Sequence, residues 1–347
     1  WPTQLRNKWL AVSLFVGWLL CYEVFSPWAA PSFTAWIIVG YFVFAFAIDA
    51  CFQGAAFCKW VCPIGQFHFV LSMLSPFEVK ALKKSTCDSC TTQDCIRGNE
   101  VSRGCELELL IPTKQGNLDC TFCLDCMRAC PHDNIALAPT FPGTDLLEDD
   151  FRSSVGSLNR SDYTALMMVV VFGAFANASG MIAPVNKAID EVSLWIGASS
   201  PALVTALFIL LCTFIVPSVL LYGAKTLSRT SNHIAWSIVP LGVAMWSAHL
   251  LFHFFTSYTS IVPVTVRALS SLGLTNAPKQ LWAIPDSPTW LLQGELFLLV
   301  IGFLASIAIC TGLTNTLKER LPWFFLNALL LVVGVWILLQ PPYICDR

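Results

Sequence analysis

Residues 120–131 read CTFCLDCMRACP, which places Cys120, Cys123, Cys126 and Cys130 in a C-x2-C-x2-C-x3-C-P run. This spacing bends a chain around an iron–sulfur cubane: three thiolates hold one [4Fe–4S] cluster, and the cysteine before proline reaches a second cluster nearby. A looser set stands upstream, Cys87-x2-Cys90-x4-Cys95-x9-Cys105. Together the two sets supply eight thiolates, the number that two cubanes require. Crossed ligation of the bacterial two-cluster kind assigns Cys87, Cys90, Cys95 and Cys130 to one cluster, and Cys105, Cys120, Cys123 and Cys126 to the other. Zinc is the competing occupant of the first four, because sets of four thiolates also bind that ion.

The surrounding chain is apolar. Of 347 residues, 56% are hydrophobic and only 12% charged, about half the charge of a soluble domain. That composition predicts a membrane protein, and the net charge of −2 gives no footing for nucleic acid. Seven stretches approach the roughly 20 apolar residues that a spanning helix needs: 9–26, 32–50, 162–182, 201–222, 233–257, 289–313 and 323–340. The link over 51–161 separates the second from the third and carries most of the cysteines, so it reads as an inserted domain. The links 183–200 and 258–288 mix apolar and polar residues, as interfacial helices do.

The expected architecture is a mainly α membrane protein of about seven transmembrane helices with an inserted two-[4Fe–4S] ferredoxin-like domain. Its parts are two helices over 1–50, a short cysteine segment with an interfacial helix over 51–80, the two-cluster domain over 81–140, a linker over 141–161, and a five-helix bundle over 162–347. The numbering opens on Trp1, so the true N-terminus is expected to lie upstream. With the N-terminus inside, sixteen of the 20 Lys and Arg residues fall on inner segments, and Lys187, Arg267, Lys279 and Arg347 fall outside. The positive-inside rule then predicts an inner (cytoplasmic) membrane protein whose N-terminus and cysteine domain face the cytoplasm.

Just after the second apolar stretch the chain reads CFQGAAFCKWVCPIG, with Cys51, Cys58, Cys62 and Pro63. Here it resembles the membrane polyferredoxins of the NapH/NosR/CcoG type, which join transmembrane helices to a two-cluster ferredoxin domain and carry CxxxCP where a helix meets the cytoplasm. The resemblance covers about residues 35–140. The chain lacks the second CxxxCP that NapH and NosR relatives commonly carry, and residues 160–347 match no family pattern. Cys51, Cys58 and Cys62 are candidates for a further metal centre or a redox dithiol; alternatively, Cys-Pro-Ile-Gly closes a tight turn. Cys21, Cys212, Cys310 and Cys345 are isolated and read as small hydrophobes.

Ionisable groups inside a bilayer are costly and usually functional. Glu23, His249, His253 and Glu295 fall toward the outer end of their helices, whereas Asp49 sits at an inner end, where a solvated carboxylate suffices. His249 and His253 are four residues apart and share one helix face. The group suits a quinone pocket in which a His accepts a hydroxyl proton and Glu295 or Glu23 relays it. A haem is the second option, completed by Met181 or by a ligand from a partner subunit, and a two-His, one-carboxylate metal site the third. Simple hydrogen bonding to neighbouring helices is the fourth. Tyr258, Arg267, Trp282 and Trp290 would cap such a pocket.

These readings predict an electron-transfer subunit of a respiratory-type membrane complex, partnered by a cytochrome or a dehydrogenase. It would link the cysteine domain to a quinone or haem centre near the outer face. The alternative is an assembly factor that delivers electrons for metal-centre maturation, as the resemblance to the CcoG and NosR types implies. A transporter with a redox sensor rests on helix count alone. Without a Gly-rich dinucleotide fingerprint, NAD and FAD are not expected.

Overall fold

The computed structural model describes residues 1–147, 152, 153, 155–274 and 288–342. Among them, six helices are long and apolar enough to cross a membrane: Pro31–Cys51, Ser161–Ser179, Ala202–Ser228, Asn232–Ser271, Leu291–Leu313 and Leu317–Leu338. A shorter apolar helix, Trp9–Phe25, packs beside them. The protein is thus a mainly helical, multi-pass membrane protein.

We number the helices α1 (Trp9–Phe25), α2 (Pro31–Cys51), α3 (Pro63–Leu71), α4 (Ser161–Ser179), α5 (Ala183–Trp195), α6 (Ala202–Ser228), α7 (Val239–Ser257), α8 (Ile261–Ser271), α9 (Leu291–Leu313) and α10 (Leu317–Leu338). Short turns of helix between them are left unnumbered. Helix α4 is the axis of the bundle: nearly every residue from Asp162 to Ser179 is buried, and α1, α7 and α10 pack around it. Small residues set the approach. A Cβ on Gly242 would meet Val171 Cγ1 at 2.7 Å, and one on Gly302 would meet Ala244 Cβ at 2.4 Å, so glycine is what lets α7 close on α4 and α9. Helix α2 buries none of its residues and presents Trp36, Phe42 and Phe46 outward.

Helix ends follow local chemistry. Helix α10 begins at Leu317, six residues before the apolar stretch 323–340, because Thr316 and Glu319 form a reciprocal capping box. Helix α6 runs past 222 to Ser228; a π-helical turn over Leu211–Ile215 relieves the ladder ahead of Pro217, which has no N–H to give.

The cysteine-rich insert closes on itself through two antiparallel strands, β1 (Phe77–Ala81) and β2 (Ile135–Pro139), paired from Phe77↔Pro139 to Ala81↔Ile135. The residues between them hold the eight clustered cysteines. Val79, Ile111, Cys126 and Ile135 form their small apolar core. One end of the bundle carries the insert: Asn159 follows it in sequence and accepts a bond from Asn232, and Gly312 packs on Leu147.

Candidate metal centres and a membrane cavity

Two cysteine-lined cavities lie within the insert. One, of about 70 Å3, is lined by Cys105, Cys120, Cys123 and Cys126. The other, of about 40 Å3, is lined by Cys87, Cys90, Cys95 and Cys130. The chain gathers each foursome by curling through left-handed backbone at Gln93, Asp119, Phe122 and Leu124, which turns successive N–H groups toward a common point. The N–H groups of Leu107 and Leu109 bear on Cys105, that of Phe122 on Cys120, that of Ile111 on Cys95 and that of Gln93 on Cys90. Asn134 adds its side-chain amide to Cys87 at 3.2 Å.

Burial and mutual proximity hold most of these thiols against ionisation. Burial, reinforced by the neighbouring Cys105, Cys120 and Cys123, pushes the Cys126 thiol up to about 12. Burial also raises Cys95, Cys105 and Cys120, whereas Cys90, at the rim, is drawn down to about 7 by the Gln93 N–H and Thr92. Four thiolates could share such a space only with a strong positive charge among them. Among the described residues, no three His, Cys, Asp or Glu side chains form a group that could hold a metal ion. Zinc would need four sulfurs on one ion at about 2.3 Å, whereas a cubane gives each sulfur its own iron. The donor set, four thiols to a cavity with backbone N–H groups bearing on several of them, is of the chemistry that a cluster takes.

The CxxxCP segment forms a tight turn at the start of α3. Cys62 is buried and caps α3, accepting from the Gly65 N–H at 3.2 Å, with Tyr41 Oη 2.9 Å from its sulfur. Cys58 and Cys51 are exposed. Asp49 accepts from the Phe57 N–H at 3.0 Å, so its carboxylate secures the turn and is not merely solvated. Beside it lies a buried link that sequence reasoning misses. Lys8 donates to Lys59 O at 2.9 Å and to Asp119 Oδ1 at 3.2 Å, and Lys59 donates to Leu107 O at 2.8 Å.

A third cavity, of about 450 Å3, opens among α4, α7, α9 and α10 at the end away from the insert, where His249, Glu295, Met181, Phe252 and Gln340 line it. Its size is that of a small-molecule site. Glu295 is buried and its Oε1 has no hydrogen-bond partner among the described residues. The other two candidates stand apart. The His253 ring packs edge-on to His249 at 4.6 Å without lining the cavity. Glu23 is bonded by the Asn177 amide, a partner 154 positions along the chain that no local pattern announces. Trp290 packs against Phe255, and Tyr258 is exposed. Arg267 lies on α8. Trp282, Lys279, Cys345 and Arg347 lie outside the described residues.

The fold and these cavities define a helical membrane protein with a cysteine-rich insert. No protein-family profile and no solved structure matches the chain. It is 27% identical over 88 residues to the putative electron transport protein YccM of Escherichia coli K12, covering 24% of this chain and 22% of that one. It is 24% identical over 90 residues to an uncharacterised protein of Methanocaldococcus jannaschii, MJ0750, covering 26% and 34%. The matches thus span 34% and 22% of those relatives.

Proposed function

We propose that the chain is a membrane-integral iron–sulfur electron-transfer subunit of a respiratory-type complex. In this reading the insert is a two-[4Fe–4S] ferredoxin-like domain on the cytoplasmic side of the inner membrane, and the His249–Glu295 cavity receives a quinone. The observation that carries it is the pair of cavities, each walled by four cysteines. The Lys and Arg distribution supports the orientation.

When bound, the clusters would supply one-electron carriers. The insert's N–H groups would compensate thiolate charge and set how readily an electron is accepted. At the far cavity His249 would accept a hydrogen bond from a quinol hydroxyl, and Glu295 would take a proton on release. Helix α4, from Ser161 to Ser179, spans about 27 Å at 1.5 Å per residue, so a centre on a partner subunit would bridge the two ends.

The test is iron and acid-labile sulfide analysis of anaerobically purified protein. About eight of each per chain is expected from two four-iron cubanes; zinc without sulfide would overturn the reading.

A further inference from the structure

A fourth cavity, of about 530 Å3, lies at the insert end of the bundle among α4, α6 and α10. Its lining is divided. Ser161, Thr164, Ser231, Asn232 and Lys225 supply polar atoms, while Met168, Leu221 and Trp323 supply an apolar wall. Exposed Val219 and Tyr222 carry that wall outward along α6, toward the bilayer that this helix's apolar composition requires.

Lys225 is the unusual member. It is half-buried and donates to the neutral Asn232 Oδ1 at 2.7 Å. It forms no ion pair among the described residues. The carboxylate nearest in sequence to the cavity, Asp162, is engaged by Arg160 at 2.7 Å and by the Lys8 N–H at 2.8 Å. An ammonium with no carboxylate partner among the described residues, set among hydroxyls at the boundary between polar surface and apolar wall, suits an anion attached to hydrocarbon.

We propose that this cavity binds the phosphate of an anionic phospholipid, with Lys225 on the phosphate and the acyl chains along Met168 and Leu221. Basic pockets between transmembrane helices recognise such headgroups. Asn232, which shares the cavity, also donates to Asn159 O at 3.0 Å. Headgroup binding therefore reaches the joint between the insert and the bundle. The proposal is independent of what the cysteines hold.

The experiment is native mass spectrometry of the full chain, delipidated in detergent and then titrated with phosphatidylglycerol, phosphatidylcholine or inorganic phosphate. Phosphatidylglycerol should bind about fivefold tighter than phosphatidylcholine. The preference should vanish in Lys225→Gln, return in Lys225→Arg and survive Lys187→Gln, which alters a basic residue at the opposite end. Equal binding of the two lipids, a preference that persists in Lys225→Gln, or inorganic phosphate binding as tightly as phosphatidylglycerol would each overturn the proposal. The Lys225→Arg arm separates loss of charge from loss of fold.

Discussion

The Lys8 ammonium stands 3.2 Å from Asp119 Oδ1, joining the start of α1 to the residue before Cys120 across 111 positions of sequence. Lys8 is fully buried, and burial pulls its ammonium below the usual lysine range while Asp119 opposes the shift. Removing one partner of such a pair strands the other's charge, at a cost of about 3–5 kcal/mol. Lys8→Met is therefore expected to destabilise the protein by about 3 kcal/mol. Its effect should fall first on the cavity of Cys105, Cys120, Cys123 and Cys126. Thermal unfolding followed together with iron content checks this; a variant with unaltered melting would show the pair to be dispensable.

The two foursomes predict a separable pattern of losses. Cys123→Ser should lower iron from about eight to about four atoms per chain, and Cys105→Ser should remove the same paramagnetic signal. Cys130→Ser, although only four residues from Cys126, should instead remove the signal that Cys90→Ser removes. Spin quantification of the reduced variants decides it. Loss of one common signal from Cys126→Ser and Cys130→Ser would contradict crossed ligation.

How much of this is legible in the sequence depends on the range of the contact. The apolar runs announce the spanning helices because lipid demands length and composition together, and the cysteine spacings announce a thiol-rich insert, although grouping Cys130 with Cys87 spans 43 positions that no short loop fixes. Long-range pairing is silent. Glu23 resembles Glu295 in depth and type, yet Asn177 engages it while Glu295 Oε1 meets no partner among the described residues; only the packing of α1 on α4 separates them. His253 shares a helix face with His249, but the cavity reaches just one of the two. Lys8 reads as an inner-loop charge and turns out to be buried against the insert. Cys62 carries no mark in its spacing to tell a helix cap from a redox thiol.

That difference between the candidate residues predicts unequal variants. His249→Ala should slow quinol-dependent cluster reduction by about 100-fold, the scale of a lost proton acceptor, and Glu295→Gln should act similarly. His253→Ala and Glu23→Gln should leave the quinol rate near wild type. Dithionite reduction should be unchanged in all four. Stopped-flow bleaching of the clusters measures both; equal sensitivity of His253 and His249 would move the site.

The CxxxCP turn predicts that a glycine matters more than its exposed cysteine. A Cβ on Gly65 would meet the Cys58 carbonyl oxygen at 2.3 Å, a backbone atom that cannot move without opening the turn. Gly65→Ala should therefore cost about 2 kcal/mol, in the range of overpacking. Cys58→Ala at an exposed position should change stability little. Denaturation of the two variants side by side tests the turn reading; a redox role for Cys58 would instead appear as altered cluster reduction kinetics at unaltered stability.

Gly302 links packing to the membrane cavity. It lies seven residues, two helical turns, beyond Glu295 on α9, where a Cβ would strike Ala244 Cβ at 2.4 Å and Pro240 O at 2.8 Å. Just beyond, the Leu241 N–H donates to Ser306 Oγ at 3.1 Å. Gly302→Val must push α7 and α9 apart there, and because His249 and Glu295 face the cavity from these two helices, their separation must change. The expected result is about 1–3 kcal/mol of lost stability with a raised KM for quinol and an unchanged iron content. Since the substitution adds only apolar atoms away from the cavity, a raised KM would report on the spacing of the two helices. An unchanged KM in a destabilised variant would show that the cavity is held by contacts nearer its own walls.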